Sequence, residues 1–336
     1  MVKSAVTILT FTNLDFWPLM LNWLRHHSSI ALLAMARTRV HMYDNETSVL
    51  CTREVERLGH RDHVQCVLAA DQANVLDTAF NTTRWRMLKY KLQAAHAAIE
   101  SQVASGDLAS PVIILDADAL ILSAPCLLEW VSFGEDIVMQ TETLVGCPTD
   151  VFKALGFGLN TGVGMFRPAA YSLLDAVLRN WRRHHFRYLE VCADQEMFSG
   201  YILRYAAPSW TDFPNTLQLN QTASPFVSTR KTFNTTSTLN ASSRSLVLSL
   251  RLLNFSRWPN NAADKRIEPY KFSVDRRLEY KWLIDRSSFY RYRNRSDIVH
   301  IFYAINESER CMCHLQSGSA ELKRSKFRRR NLWYLD

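Results

Sequence analysis

The sequence predicts an α/β fold with a mostly parallel sheet and helices on both faces. Three observations predict it. Short apolar runs (AVTILTF at 5–11, RVHMYDN at 39–45, VIILDAD at 112–118) alternate with longer segments of helical period. Capping and breaking residues separate the two kinds of segment. Acids close two of the runs, at Asp44 and Asp116, where ligands sit beyond the carboxyl ends of such strands.

In chain order, AVTILTF reads as a buried first strand, which outweighs a signal-peptide reading because no small-residue cleavage site follows. Asp15 can cap a helix over 16–27 with Pro18 in its first turn; Trp17, Met20, Leu21 and Leu24 fall on one side. RVHMYDN is the second strand, and a helix over 47–58 closes at Gly59. A short strand follows at 63–68. From residue 83 a long helix carries Trp85, Leu88, Leu92, Ala95 and Ile99 in a three/four-spaced stripe, ended by SGDLASP. VIILDAD is the fourth strand, with a short loop to Pro125. DIVMQTE (136–142) is a strand. GFGLNTGVGMFRP (156–168) is a glycine-rich loop leading into another. A helix over 169–182 turns Leu173, Leu174, Val177, Leu178 and Trp181 inward. CADQEMFSGYIL (192–203) opens a further helix, and SDIVHIFYAI (296–305) is the last clear strand. We expect a single domain over 1–336, with a polar insertion or lid at about 216–260 and a basic tail at about 310–336.

Composition narrows the class. The 336 residues are 47% hydrophobic, enough for a sizeable core. FWPLMLNWL (16–24) is too short to span a membrane and contains Pro18 and Asn22. The formal charge is +8, with basic runs at Arg182–Arg183 and in KRSKFRRR (323–330). These read as a solvated face and a frayed tail, or as attraction for an anionic ligand or a membrane surface. No nucleic-acid module is present, so no nucleic-acid partner is expected. Seven cysteines occur without a C-x-x-C pair, which argues against zinc and leaves disulfide pairing unassigned. Asn-x-Ser/Thr triplets at Asn45, Asn81, Asn220, Asn234, Asn240, Asn254, Asn294 and Asn306 favour a glycosylated, lumenal protein.

The chemistry centres on Asp116 and Asp118. Alternate strand residues share a face, so both can converge on one ligand if the strand ends there. Two facing carboxylates in an apolar setting repel, and a divalent cation removes the conflict. The competing reading has one acid capping the next turn and the other facing solvent.

ILDAD, LNTGVGMFRP, ADQEMF and VHIF, in that order, resemble the motifs of GT-A glycosyltransferases. The similarity is strongest to the nucleotide-diphospho-sugar transferases of family 77, related to family 8. It runs from about residue 4 to 305, with 220–260 poorly matched. It implies a Rossmann-like GT-A fold and sugar transfer from a nucleoside diphosphate sugar, a UDP-sugar, to a hydroxyl on a glycan or glycoprotein acceptor, with retention. It implies Mn²⁺ or Mg²⁺ on Asp116, Asp118 and His300. The donor would meet Asp116, Ala117, Asn160, Thr161 and Gly162, with Gly158, Gly162 and Gly164 allowing close backbone approach. Asp194 and Gln195 would stand beside the donor sugar as the catalytic pair. Asp44, Thr10 and Thr12 would serve the nucleoside, and Lys89 a phosphate. It also implies the Golgi or another secretory lumen, with the membrane reached only through an anchor not present in this chain. The linker ESQVASGDLASP and the Ala-Leu after the second acid depart from the family pattern.

Two rivals remain. A sugar-nucleotide-binding protein without activity would share the fold. A haloacid-dehalogenase-like phosphatase also carries D-x-D after an apolar strand, but Leu120 stands where it uses Thr or Val.

Overall fold

The structure is a computed structural model. It describes residues 6–69, 83–142, 158–180, 195, 198–199, 201–202, 208–212, 216–221, 246–253, 270–273, 298–301, 311–314, 319–329 and 332–335.

The strands are β1 (Val6–Thr12), β2 (Ala36–Met42), β3 (Val64–Leu68), β4 (Val112–Leu115), β5 (Ala119–Ile121), β6 (Ile137–Glu142), β7 (Gly158–Phe166), β8 (Pro208–Asp212), β9 (Thr216–Gln221), β10 (Leu246–Leu252), β11 (Tyr270–Ser273), β12 (Ile298–Ile301) and β13 (Met312–His314). The helices are α1 (Trp17–Ser29), α2 (Leu32–Met35), α3 (Asn45–Arg57), α4 (Thr83–Ala104), α5 (Ala124–Ser132), α6 (Tyr171–Asn180) and α7 (Ala320–Arg329).

Nine strands form one sheet in the order β3-β2-β1-β4-β7-β6-β10-β9-β8. β1 pairs in parallel with β2 and β4, β2 with β3, and β6 with β10. β7 and β9 run against their neighbours. The sheet is therefore mostly parallel, as expected. β9 and β10 belong to it although they fall within 216–260. β12, which holds the first three residues of VHIF, pairs with β11 outside the main sheet, and Lys271 stands opposite His300.

Strand alternation sorts the core into two layers. Leu9, Phe11, Val112, Ile114, Ile137 and Met139 pack with Leu92, Ala95 and Ile99 of α4 and Leu173, Leu174 and Val177 of α6. Ile8, Val40, Met42, Ile113, Leu115 and Val138 pack with Met20, Trp23 and Leu24 of α1, Val55 of α3, Trp130 of α5 and Phe327 of α7. Helices thus cover both faces. No helix among the described residues is long and apolar enough to cross a membrane.

Several local readings change. The Asn13 side chain, not Asp15, caps the first turn by accepting from Phe16 N at 3.2 Å. A short 3₁₀ turn, Leu14–Phe16, precedes α1, and Pro18 sits at its second position, where a missing N–H costs nothing. LNTG lies inside β7 rather than in a loop before it. ALI, read as loop, is β5; it leaves the main sheet and pairs antiparallel with β13. Gly59 (φ 72°) and Gly106 (φ 76°) end α3 and α4 in the left-handed region that glycine adopts without strain.

Two disulfides tie the second layer. Cys51–Cys66 joins α3 to β3, and Cys126–Cys311 joins α5 to the residue before β13. Cys313 is buried and belongs to neither bridge.

Candidate functional site

The site forms where β4 ends. Leu115 is the last strand residue, and Asp116 O accepts from Ala119 N at 2.9 Å, so Asp116–Ala119 is a tight turn. The acids therefore do not stand as alternate residues of one strand, and each is held from a different layer. Lys91 of α4 places its ammonium 2.8 Å and 3.1 Å from the two Asp116 carboxylate oxygens. Lys323 of α7 pairs with Asp118 Oδ2. The Lys91 side chain is 9% exposed and that of Asp116 29%; for Lys323 and Asp118 the values are 6% and 10%. The first pair opens to solvent through its carboxylate, whereas the second is enclosed.

β7 explains the need for glycine. Asp116 N donates to Gly162 O at 2.8 Å, which brings the turn against β7. A Cβ on Gly162 would overlap the Asp116 carboxylate, 2.8 Å from its Cγ. Only glycine lets that carboxylate lie flat on the strand. At Gly164 an added Cβ meets Met139 and Phe166 at ordinary contact distance, 3.5 Å, so no close approach depends on it. Asn160 is buried; its Oδ1 accepts from Gly162 N at 2.8 Å, and its Nδ2 has no partner among the described residues. A buried amide nitrogen without an acceptor is costly, and a ligand oxygen would satisfy it. Thr161 and Ala117 are buried beside these residues. Gln195 is helical, and its Oε1 is likewise buried without a partner among the described residues.

β5 fixes the turn from its far side. His27 Nε2 accepts from Ile121 N at 3.1 Å, and His26 Nε2 lies 2.8 Å from Ile121 O. Burial lowers both histidine pKa values, that of His27 well below 6.5, which keeps its acceptor nitrogen unprotonated. On the α4 side, His41 Nδ1 lies 3.0 Å from Tyr90 Oη and stacks on Phe11 at 5.1 Å. Tyr43 Oη donates to Met87 O at 3.0 Å. This aromatic group locks the part of α4 that carries Lys91. Burial lowers the His41 pKa to about 4, with the Arg39 charge adding to the effect.

The other expected residues are placed as follows. Thr10 and Thr12 are buried at the end of β1; Thr12 Oγ1 donates to Asn13 O at 3.2 Å, and Thr10 Oγ1 has no partner among the described residues. Asp44 is the N-cap of α3. Its Oδ1 accepts from Thr47 N (2.7 Å) and Thr47 Oγ1 (2.6 Å), and its Oδ2 from Leu14 N (3.0 Å), so the cap also ties down the loop after β1. Lys89 is buried, but Lys91 is the lysine on the acid. Asp194 and the His300 side chain lie outside the described residues.

Sequence reasoning missed Lys91 and Lys323. A signal for the second was present: Phe327 lies four residues beyond Lys323, so the basic run hides one apolar helix position on the same face as that lysine. Segment Ala320–Arg329 is a docked helix, with Lys323 and Phe327 buried. Asn22 secures the residues beyond it: its Nδ2 donates to Leu332 O at 3.0 Å and its Oδ1 accepts from Tyr334 N at 2.7 Å.

Of the three residues implied for a cation, Asp116 and Asp118 are each paired with a lysine, and the His300 side chain lies outside the described residues. Among the described residues no group of three His, Cys, Asp or Glu could hold a metal ion. Asp116 and Asp118 already face ammonium groups, so each carboxylate is neutralised by the protein itself.

No protein-family model matches the sequence, and neither does any curated protein. Among solved structures, the chain is similar to the glycosyltransferase GlyE of Streptococcus pneumoniae TIGR4, with 9% identity over 59% of this chain and 43% of that chain and a TM-score of 0.39. It is similar to the apo bifunctional glycosyltransferase WbbM, with 10% identity over 95% and 47% and a TM-score of 0.44. It is also similar to the mannosyltransferase PcManGT from Pyrobaculum calidifontis, described in complex with GDP-Man and Mn²⁺, with 18% identity over 60% and 52% and a TM-score of 0.33. The chain spans less than half the length of the first two. All three are glycosyltransferases, the class that the motifs resemble; likeness of this degree carries no residue role from them to this chain.

Proposed function

We propose that the chain is a GT-A glycosyltransferase that takes its sugar from a nucleoside diphosphate donor at the end of β4. The observation that carries this reading is the Asp116 carboxylate, seated on Gly162 and tied to Lys91, with the Asn160 amide nitrogen on β7 beside it, without a partner among the described residues. Such a site supplies what donor binding needs: a hydroxyl acceptor in Asp116, a donor in Asn160 Nδ2, and positive charge beside both. Asp116 and Asn160 would orient sugar and ribose hydroxyls. The lysines would stabilise charge gathering on the departing diphosphate while an acceptor hydroxyl attacks the anomeric carbon. We take the donor to be a UDP-sugar and the transfer to be retaining, on the motif resemblance. No step is drawn through Mn²⁺ or Mg²⁺, because the acids that would hold it are paired with lysines. The acceptor is proposed to be a glycan or glycoprotein in a secretory lumen; the two disulfides and the eight Asn-x-Ser/Thr triplets support an oxidising compartment.

The test is a screen of UDP-sugars for hydrolysis by the full chain, with Asp116→Asn as the control. Hydrolysis of one donor, lost in the variant, is expected. Donor bound but never cleaved would leave a sugar-nucleotide-binding protein. Release of phosphate from a phosphomonoester, without any action on UDP-sugars, would replace the reading with a phosphatase.

A further inference from the structure

We propose that Lys323 stands in for the metal ion: its ammonium, held by Asp118, is the cation that meets the donor diphosphate, and the site works without Mn²⁺ or Mg²⁺. This rests on the donor-site reading above and names how that site handles charge.

The first ground is charge. A cation at a D-x-D turn resolves the repulsion of two carboxylates and leaves positive charge facing phosphate. Here Lys91 and Lys323 resolve it, one ammonium for each carboxylate. A divalent ion entering between Asp116 and Asp118 would first have to expel two buried ammonium groups, and displacing one partner of an enclosed ion pair is costly.

The second ground is construction. Lys323 is not a loose tail residue. Cys126–Cys311 pins the chain before β13, β13 pairs with β5 next to the turn, and α7 packs Phe327 into the second core layer. Asn22 then clamps Leu332 and Tyr334 on α1. These contacts deliver one lysine to one carboxylate from more than two hundred residues away. Lys323 Nζ also lies 5.7 Å from the Phe16 ring centroid, which places it between the Asp116–Ala119 turn and the loop after β1. Both flank the carboxyl ends of β1 and β4, where ligands of such sheets sit.

The third ground is capacity. An ammonium carries three donors, and its contact with Asp118 uses one. A carboxylate–ammonium–phosphate chain has the same charge order as a carboxylate–metal–phosphate chain.

The experiment has two arms on the full chain. The first titrates Mn²⁺ alone and counts the bound ion by electron paramagnetic resonance, in the wild type, Asp118→Asn and Lys323→Met. The wild type is expected to show no binding that Asp118→Asn removes. One Mn²⁺ per chain, lost in Asp118→Asn, would overturn the inference whatever the donor proves to be. The second arm measures UDP affinity by calorimetry with EDTA and with Mn²⁺. Equal affinity in both is expected, with at least a tenfold loss in Lys323→Met and a loss of no more than threefold in Lys323→Arg. Loss of UDP binding in EDTA would overturn it, as would wild-type affinity in a folded Lys323→Met. Thermal unfolding of each variant separates a lost fold from a lost ligand. Failure of UDP to bind under any condition would instead sink the donor-site reading, while the Mn²⁺ arm would still decide the role of Lys323.

Discussion

Replacing Gly162 with Ala presses on the contact that defines the site. The new Cβ cannot coexist with the Asp116 carboxylate, whose Cγ lies only 2.8 Å from where it would stand. The carboxylate must swing away, and its contacts with Lys91 at 2.8 Å and 3.1 Å go with it. Breaking a fully buried pair costs about 3–5 kcal/mol, and an exposed pair is worth about 0–1 kcal/mol. Asp116 is 29% exposed and can rehydrate, while Lys91, at 9%, cannot do so easily; the loss should fall between, about 1–3 kcal/mol. Strain from the added methyl contributes about 1–3 kcal/mol more. Gly162→Ala should therefore lower the unfolding free energy by about 2–6 kcal/mol. UDP should bind at least about tenfold more weakly, at about 1.4 kcal/mol per factor of ten. Urea denaturation and calorimetry read the two effects. Gly164→Ala is the control, expected to stay within about 1 kcal/mol of wild type because its Cβ meets only ordinary contacts. A Gly162→Ala protein with wild-type stability and UDP affinity would refute the role given to this glycine.

Asp44→Ala should cost about 1–2 kcal/mol in urea, through loss of the α3 cap and the tie to Leu14, with Asp44→Asn recovering most of it; full stability with abolished UDP binding would instead return Asp44 to the nucleotide. Asn22→Ala should free the chain beyond α7 and speed its cleavage in limited proteolysis read by mass spectrometry, at a cost of about 1–3 kcal/mol. Stability should fall with acid through His41. Its folded pKa of about 4 lies below the usual 6.5, so its contribution is complete above pH 6.5 and lost as the pH drops toward 4. At about 1.36 kcal/mol per pH unit the loss is on the order of 3 kcal/mol. His41→Gln should flatten that slope in denaturation curves taken from pH 7 to pH 4.5, and an unchanged slope would remove His41 as its source.

Much of the frame was legible. Strand–helix alternation placed β1 to β4 and α1, α3 and α4 within a few residues, because each buries one regular face and period alone reveals it. The end of β4 at its acids was legible for the same reason: an apolar run stops where carboxylates begin. What escaped depends on contacts far apart in sequence. Lys89 and Lys91 lie two positions apart on one helix, and only the placement of Asp116, 25 residues on, selects between them. KRSKFRRR read as a solvated tail because charge runs usually are; its docking needs Phe327 in the core and a disulfide 185 residues long in sequence. β5 escaped because ALI is too short to show a period, and its partner β13 lies near the far end of the chain. Asp44 shows a residue type whose role sequence leaves open: an acid at a strand end can serve a ligand or a helix, and here its two oxygens accept from α3 and from Leu14.

The most direct test of the donor site is a crystal structure of the full chain grown with UDP and EDTA. The diphosphate should lie beyond the carboxyl ends of β1 and β4, within hydrogen-bond distance of Lys91 or Lys323, with Asn160 Nδ2 on a ligand oxygen. UDP bound elsewhere, for instance among Arg37, Arg39 and Arg61 in the cavity at the amino ends of β1 to β3, would contradict it.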